Sequence, residues 1–132
     1  MKKWFKVVTF SLFLLLVTGC GKKAYKTIDA NEAMNLINNN NNNVEIIDVR
    51  NMDEYNTGHI ANAKNVPLEG IDNISYDKST IIILYCASGM RSMKAAEKLS
   101  KMGYTNLYNL DGGLLNWGFD LEWFKCIYME KM

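Results

Sequence analysis

The chain has 132 residues with one proline, nine glycines and three cysteines, about one domain's worth of sequence, which leaves no room for a second enzymatic domain. The hydrophobic class makes up 48% and charged residues 22%, which excludes long-range disorder as a description. A formal net charge of +1 gives no electrostatic case for a nucleic-acid partner. Three cysteines without a Cys-x2-Cys pair supply neither a disulfide scaffold nor a zinc or dithiol site.

Lys2, Lys3 and Lys6 precede an apolar run over 7–17 that only Thr9 and Ser11 interrupt. A positive segment followed by a short apolar one is the pattern of an export signal. As a helix the run rises about 17 Å, well short of the roughly 30 Å hydrocarbon core, so a permanent membrane span is the poorer reading. Val17-Thr18-Gly19-Cys20 resembles the lipobox of bacterial lipoproteins, an aliphatic and two small residues before a cysteine. That resemblance implies that Cys20 is acylated, becomes the mature N-terminus, and holds the protein on a lipid bilayer at the extracytoplasmic side of a cell membrane. Stable attachment needs more than one acyl chain. The expected organisation is therefore signal over 1–19, lipidated end and linker over 20–24, domain over 25–120 and aromatic tail over 121–132. Removing Lys2, Lys3 and Lys6 from the 15 basic residues leaves 12 against 14 acidic ones, a mature charge of −2.

Residues 25–28 read as a short strand. Asp29 and Glu32 have capping-box spacing for a helix that turns Ala33, Met34, Leu36 and Ile37 inward and stops near Asn38. The six asparagines over 38–43 favour turns and left-handed backbone, so they form an exposed connection. Residues 44–49 and 80–85 are mostly apolar and β-branched without alternation, which predicts strands buried on both faces of a parallel sheet. Between them come a short helix over 52–56 and a weak strand over 63–66 closed by Pro67. A helix over 91–101 carries Met93, Ala96, Leu99 and Met102, with Gly103 at its C-cap. A final strand over 106–110 leads through Asp111-Gly112-Gly113 into the start of another helix over 114–117. Alternating strands and helices predict an α/β fold around a mostly parallel sheet of about five strands.

The sharpest local feature is Cys86-Ala87-Ser88-Gly89-Met90-Arg91-Ser92, a cysteine between a buried strand and a helix. Ligands of open parallel sheets gather beyond the carboxyl ends of the strands. A tight loop feeding a helix there aims backbone N–H groups at a common centre, where helix polarity also favours an anion. A thiolate is such an anion, and this setting can lower a cysteine from about 8.5 to roughly 3.5–7.5. Gly89 permits backbone that a side chain opposes, and Arg91 adds fixed positive charge. A structural cysteine with Ser88 and Gly89 as mere turn residues is the bland alternative.

This loop resembles the active-site loop of rhodanese-type sulfurtransferases. Ile47-Asp48-Val49-Arg50, Glu54-Tyr55, the segment Gly58-His59-Ile60-Ala61-Asn62-Ala63, then Asn65-Val66-Pro67-Leu68, and finally Leu110-Asp111-Gly112-Gly113-Leu114 with Trp117 resemble other elements of that family in order and spacing. The resemblance covers about 25–117. It implies a rhodanese-like three-layer fold and Cys86 as a carrier that takes sulfane sulfur from thiosulfate, a persulfide or a polysulfide. The sulfur then passes to cyanide or a thiol, including a protein thiol partner, and no cofactor is implied. The amides of Ala87, Ser88, Gly89, Met90 and Arg91 form the cradle in this reading. Four residues separate Cys86 from Arg91 where tyrosine phosphatases have five, so the smaller ring suits sulfur better than phosphate. Many members active on thiosulfate carry a basic residue after the cysteine, and Ala87 departs from that pattern, which disfavours a dianionic donor.

Asp48 and Arg50 are expected in a polar network beneath the loop, with a structural ion pair, Arg50 with Glu54 among the options, as the plainer role. His59, the sole histidine, is read as a turn residue rather than a base, and no metal-ligand spacing is present. Cys126 is read as a packed apolar side chain, with a resolving thiol as the alternative. Rival readings are a catalytically quiet rhodanese-like binding or sulfur-sensing module, and a phosphatase or arsenate reductase on the same fold.

Overall fold

The computed structural model describes residues 24–39 and 43–123. Cys20 and the expected signal segment over 1–19, asparagines 40–42 and Cys126 lie outside the described residues. Five strands form one parallel sheet: β1 Lys26–Ile28, β2 Val44–Asp48, β3 Lys64–Asn65, β4 Ile81–Tyr85 and β5 Asn106–Leu110, in the spatial order β1-β5-β4-β2-β3. Helices α1 Ala30–Asn39, α2 Met52–Asn56 and α3 Met90–Lys101 connect them, with 3-10 turns at Leu68–Asn73 and Gly113–Asn116.

The absence of alternation in β2 and β4 has a simple cause. One set of side chains, Ile47, Ile82 and Leu84, packs with Ala95, Ala96 and Leu99 under α3. The other set, Ile46, Ile83 and Tyr85, packs with Ala33 of α1, Leu110 and Trp117. Both faces are covered, so both must be apolar. The expected capping box forms at α1, where the Glu32 amide donates to Asp29 Oδ1 at 2.8 Å and the Asp29 amide to Glu32 Oε2 at 3.0 Å. A second box of the same kind joins Asn51 and Glu54 at the start of α2.

Several element ends differ from expectation for local reasons. The strand expected over 63–66 shrinks to Lys64–Asn65, because the Ala63 amide closes a turn on Ile60 O at 3.0 Å. The helix expected over 114–117 is a single 3-10 turn that begins at Gly113, after Gly112 in left-handed backbone at φ 67°. Residues 121–123 lie against the domain, since His59 and Glu122 exchange backbone hydrogen bonds of 2.9 and 2.8 Å in an antiparallel bridge. Among the described residues, no helix is long and apolar enough to cross a membrane.

Candidate active site

The sheet order sets β4 between β2 and β5, so Cys86 leaves the middle of the sheet at its carboxyl edge. The cysteine is 1% exposed. The loop curls around it because its carbonyls are drawn outward. Cys86 O accepts from the Leu114 amide at 2.9 Å and Ala87 O from the Leu115 amide at 3.2 Å. Gly113, at φ +57°, makes this approach possible, since a Cβ there would collide with both of those carbonyl oxygens. Gly89, at φ 94°, is the N-cap of α3 and completes the turn.

With the carbonyls turned away, N–H groups face the sulfur. The Gly89 amide donates to Cys86 Sγ at 3.1 Å, and Ser92 Oγ lies 3.6 Å from it. Burial pushes the thiol up, but hydrogen bonds from the Ser92 amide and hydroxyl and from the Ser88 and Gly89 amides outweigh it. The thiol therefore sits below its ordinary value of 9.0. Among the amides that donate to the sulfur are those of Ser88 and Gly89, within the expected 87 to 91, and that of Ser92, one residue beyond it. Ala87 serves through its carbonyl, and Met90 opens α3 with its side chain 60% exposed.

Arg91 is not a free cation. Its guanidinium grips Glu54 with two hydrogen bonds of 2.7 Å, and that grip, with help from the Asn51 amide, holds the Glu54 carboxyl down at about 2 against burial. The pairing of Arg50 with Glu54 is thereby corrected. Arg50 turns instead to Asp48, at 2.7 Å, and to the Gly58 carbonyl, also at 2.7 Å. Asp48 is fully buried and faces Tyr85 across the β2 and β4 register. The pair thus lies beside Tyr85, the residue that precedes Cys86. His59 is stacked on Tyr55 at 3.7 Å with Nδ1 3.1 Å from Tyr55 O, and its other ring nitrogen faces Glu122. These contacts belong to a turn residue. Among the described residues, no cluster of His, Cys, Asp or Glu side chains is arranged to hold a metal ion.

Sequence reasoning overlooked Ser92, Asn109, Glu54 as the partner of Arg91, and the clamp at 113–115. The first had a legible signal: Ser92 stands one helical turn after the Gly89 cap, on the side of α3 that faces the loop.

A buried, hydrogen-bonded cysteine where the central strand of a parallel α/β sheet passes into a helix defines a cysteine-loop α/β domain. The family model of the rhodanese-like domain matches residues 29–119, and the chain belongs to that family. It is 42% identical over 78 residues to the uncharacterized protein YqhL of Bacillus subtilis, 56% of this chain and 60% of that one. It is 33% identical over 79 residues to the tRNA uridine(34) hydroxylase of Erwinia tasmaniensis, 54% of this chain and 23% of that one. The chain therefore spans less than two thirds of these curated relatives. Among solved structures, a rhodanese-like domain protein from Staphylococcus aureus aligns with a TM-score of 0.65 at 38% identity, over 74% of this chain and 97% of that one. A thiosulfate sulfurtransferase from Pseudomonas aeruginosa aligns with a TM-score of 0.65 at 26% identity, over 75% of this chain and 20% of that one.

Proposed function

We propose that this protein is a sulfurtransferase in which Cys86 carries a sulfane sulfur from a persulfide or polysulfide donor to a thiol acceptor. The observation that carries the reading is the buried Cys86 Sγ with the Gly89 amide 3.1 Å away and its acidity raised by the surrounding donors. The thiolate attacks the terminal sulfur of R–S–S⁻, the S–S bond breaks, and R–S⁻ leaves with its electron pair, to be protonated by solvent. Cys86–S–S⁻ remains, its new charge sited where the loop amides converge. An acceptor thiolate then attacks the outer sulfur and Cys86 leaves as thiolate, so electrons balance without an external oxidant.

Charge at the mouth favours a donor of low charge. The Arg91 charge that reaches Cys86 is largely balanced by its ion pair with Glu54, Ala87 adds nothing, and Met90 and Leu115 stand 60% and 79% exposed beside the loop. Thiosulfate, a dianion, meets little net positive potential there. Export and acylation at Cys20 complete the proposal and place the transfer on the outer side of a cell membrane.

Mass spectrometry of the protein after incubation with polysulfide tests the activity. One added sulfur on the Cys86 peptide, removed by cyanide and absent in Cys86→Ser, is the expected result, and no adduct with any donor leaves a binding module instead. Fractionation of cells tests the anchor: the wild type is expected with membranes and Cys20→Ser is expected to leave them, and equal partition of the two refutes acylation.

A further inference from the structure

Asn109 sits where an apolar residue is expected. Its β5 neighbour two positions earlier, Leu107, belongs to the cluster under α3, and the two-residue period of a strand sends Asn109 to the same face. The side chain is 2% exposed there, and a carboxamide without hydrogen-bond partners is costly in such a place. Its compensation is Ser92, whose Oγ lies 2.6 Å from Asn109 Oδ1.

That contact creates a conflict of protons. Ser92 Oγ is 3.1 Å from the Gly89 carbonyl and 3.6 Å from Cys86 Sγ as well, so one hydroxyl proton faces three acceptors. While the proton points at Asn109 Oδ1, Sγ keeps the Ser92 amide but receives nothing from the Ser92 hydroxyl. Rotating the carboxamide half a turn puts its NH2 in the same place, where it donates to Ser92 Oγ and frees the hydroxyl proton for the sulfur. A thiol is served by the first arrangement, because its S–H needs a lone pair on Ser92. A thiolate is served by the second.

We propose that Asn109 is a positioning residue that sets the direction of the Ser92 proton, accepting it while Cys86 is a thiol and returning it to the sulfur when Cys86 is a thiolate. Once the sulfane sulfur is loaded, the charge moves outward from Sγ and the hydroxyl is released to Asn109 again. Asn109 thereby couples β5 to the reactivity of a residue on the far side of the loop turn. This deepens the sulfur-transfer reading and rests on Cys86 as the nucleophile, but its test uses no sulfur donor, so the two readings fail separately.

The test is a double-mutant cycle on the full chain, following the rate at which iodoacetamide alkylates the Cys86 peptide across pH. The charged groups around the loop, Arg91 on α3, Glu54 on α2 and the Asp48–Arg50 pair at the end of β2, stay in place throughout. Asn109→Leu and Ser92→Ala are each expected to slow alkylation at pH 7 by about threefold to tenfold through an upward shift of the midpoint. The double variant is expected to be no slower than Ser92→Ala, because Asn109 acts only through the hydroxyl. Losses that multiply, or an unshifted midpoint in Asn109→Leu, overturn the proposal. A second measurement needs no substitution at either position: the side-chain NH2 resonances of Asn109 in the wild type are expected to titrate with the Cys86 midpoint and to be pH-independent in Cys86→Ser. Resonances that ignore Cys86 ionisation overturn it.

Discussion

The thiol of Cys86 is poised between two opposing influences, a dry setting that resists ionisation and a set of short-range donors that promote it. Because the donors prevail, alkylation of Cys86 in the wild type is expected to reach half its limiting rate below pH 9.0, the ordinary value for such a thiol. A midpoint above 9.0 contradicts the cradle. Arg91 and Glu54 tune what enters. Their side chains are 38% and 32% exposed, so the pair matters more for local potential than for stability. Glu54→Gln keeps an acceptor for the Asn51 amide, as a capping box allows, while leaving the Arg91 charge uncompensated. The ratio of thiosulfate to alkyl persulfide turnover is expected to rise about threefold to tenfold at low ionic strength and to fall back with salt. A ratio that does not move rules out Glu54 as a determinant of donor charge.

At the scale of elements, the loop owes its shape to a neighbour distant in sequence. The 3-10 turn at Gly113–Asn116 holds two loop carbonyls by the amides of Leu114 and Leu115. Gly113→Ala adds a Cβ against rigid backbone in left-handed conformation, and is expected to cost roughly 2–4 kcal/mol in denaturant unfolding and to slow Cys86 alkylation. Gly70→Ala, where nothing lies within 4 Å, is the control and is expected to be near neutral. This dependence also explains what was legible in the sequence. β2 and β4 stood out because burial on both faces demands unbroken apolar runs, and α1 and α3 because caps and three-residue spacings are local. The loop was visible because cysteine, glycine and arginine fall within six positions. Ser92 with Asn109, and Glu54 with Arg91, are pairings across 17 and 37 residues, which no local pattern announces. The Asp111-Gly112-Gly113 segment announced a turn, but only the folded chain shows that the turn exists to hold another one.

At the scale of the whole molecule, two ion pairs tie the carboxyl edge of the sheet together, and they differ in kind. Asp48 and Arg50 are buried, so Arg50→Met leaves a carboxylate without its partner and is expected to cost about 3–5 kcal/mol. Glu54 and Arg91 are half exposed and link α2 to α3 across the mouth. Their contribution has a pH signature. The Glu54 carboxyl lies at about 2 in the folded chain against an ordinary 4.5, so folding favours the ionised form. The stabilisation is complete above pH 4.5, where the unfolded chain is also ionised, and it drains away as pH falls toward 2, where the folded carboxyl takes up its proton. Stability of the wild type is therefore expected to decline more steeply between pH 4.5 and 2 than that of Glu54→Gln, with the two curves converging at the acid end. The same interval is expected to loosen the mouth, since protonated Glu54 releases Arg91. Parallel curves for the two proteins exclude a folded-state grip on Glu54, and with it the neutral mouth from which the preference for a donor of low charge was argued.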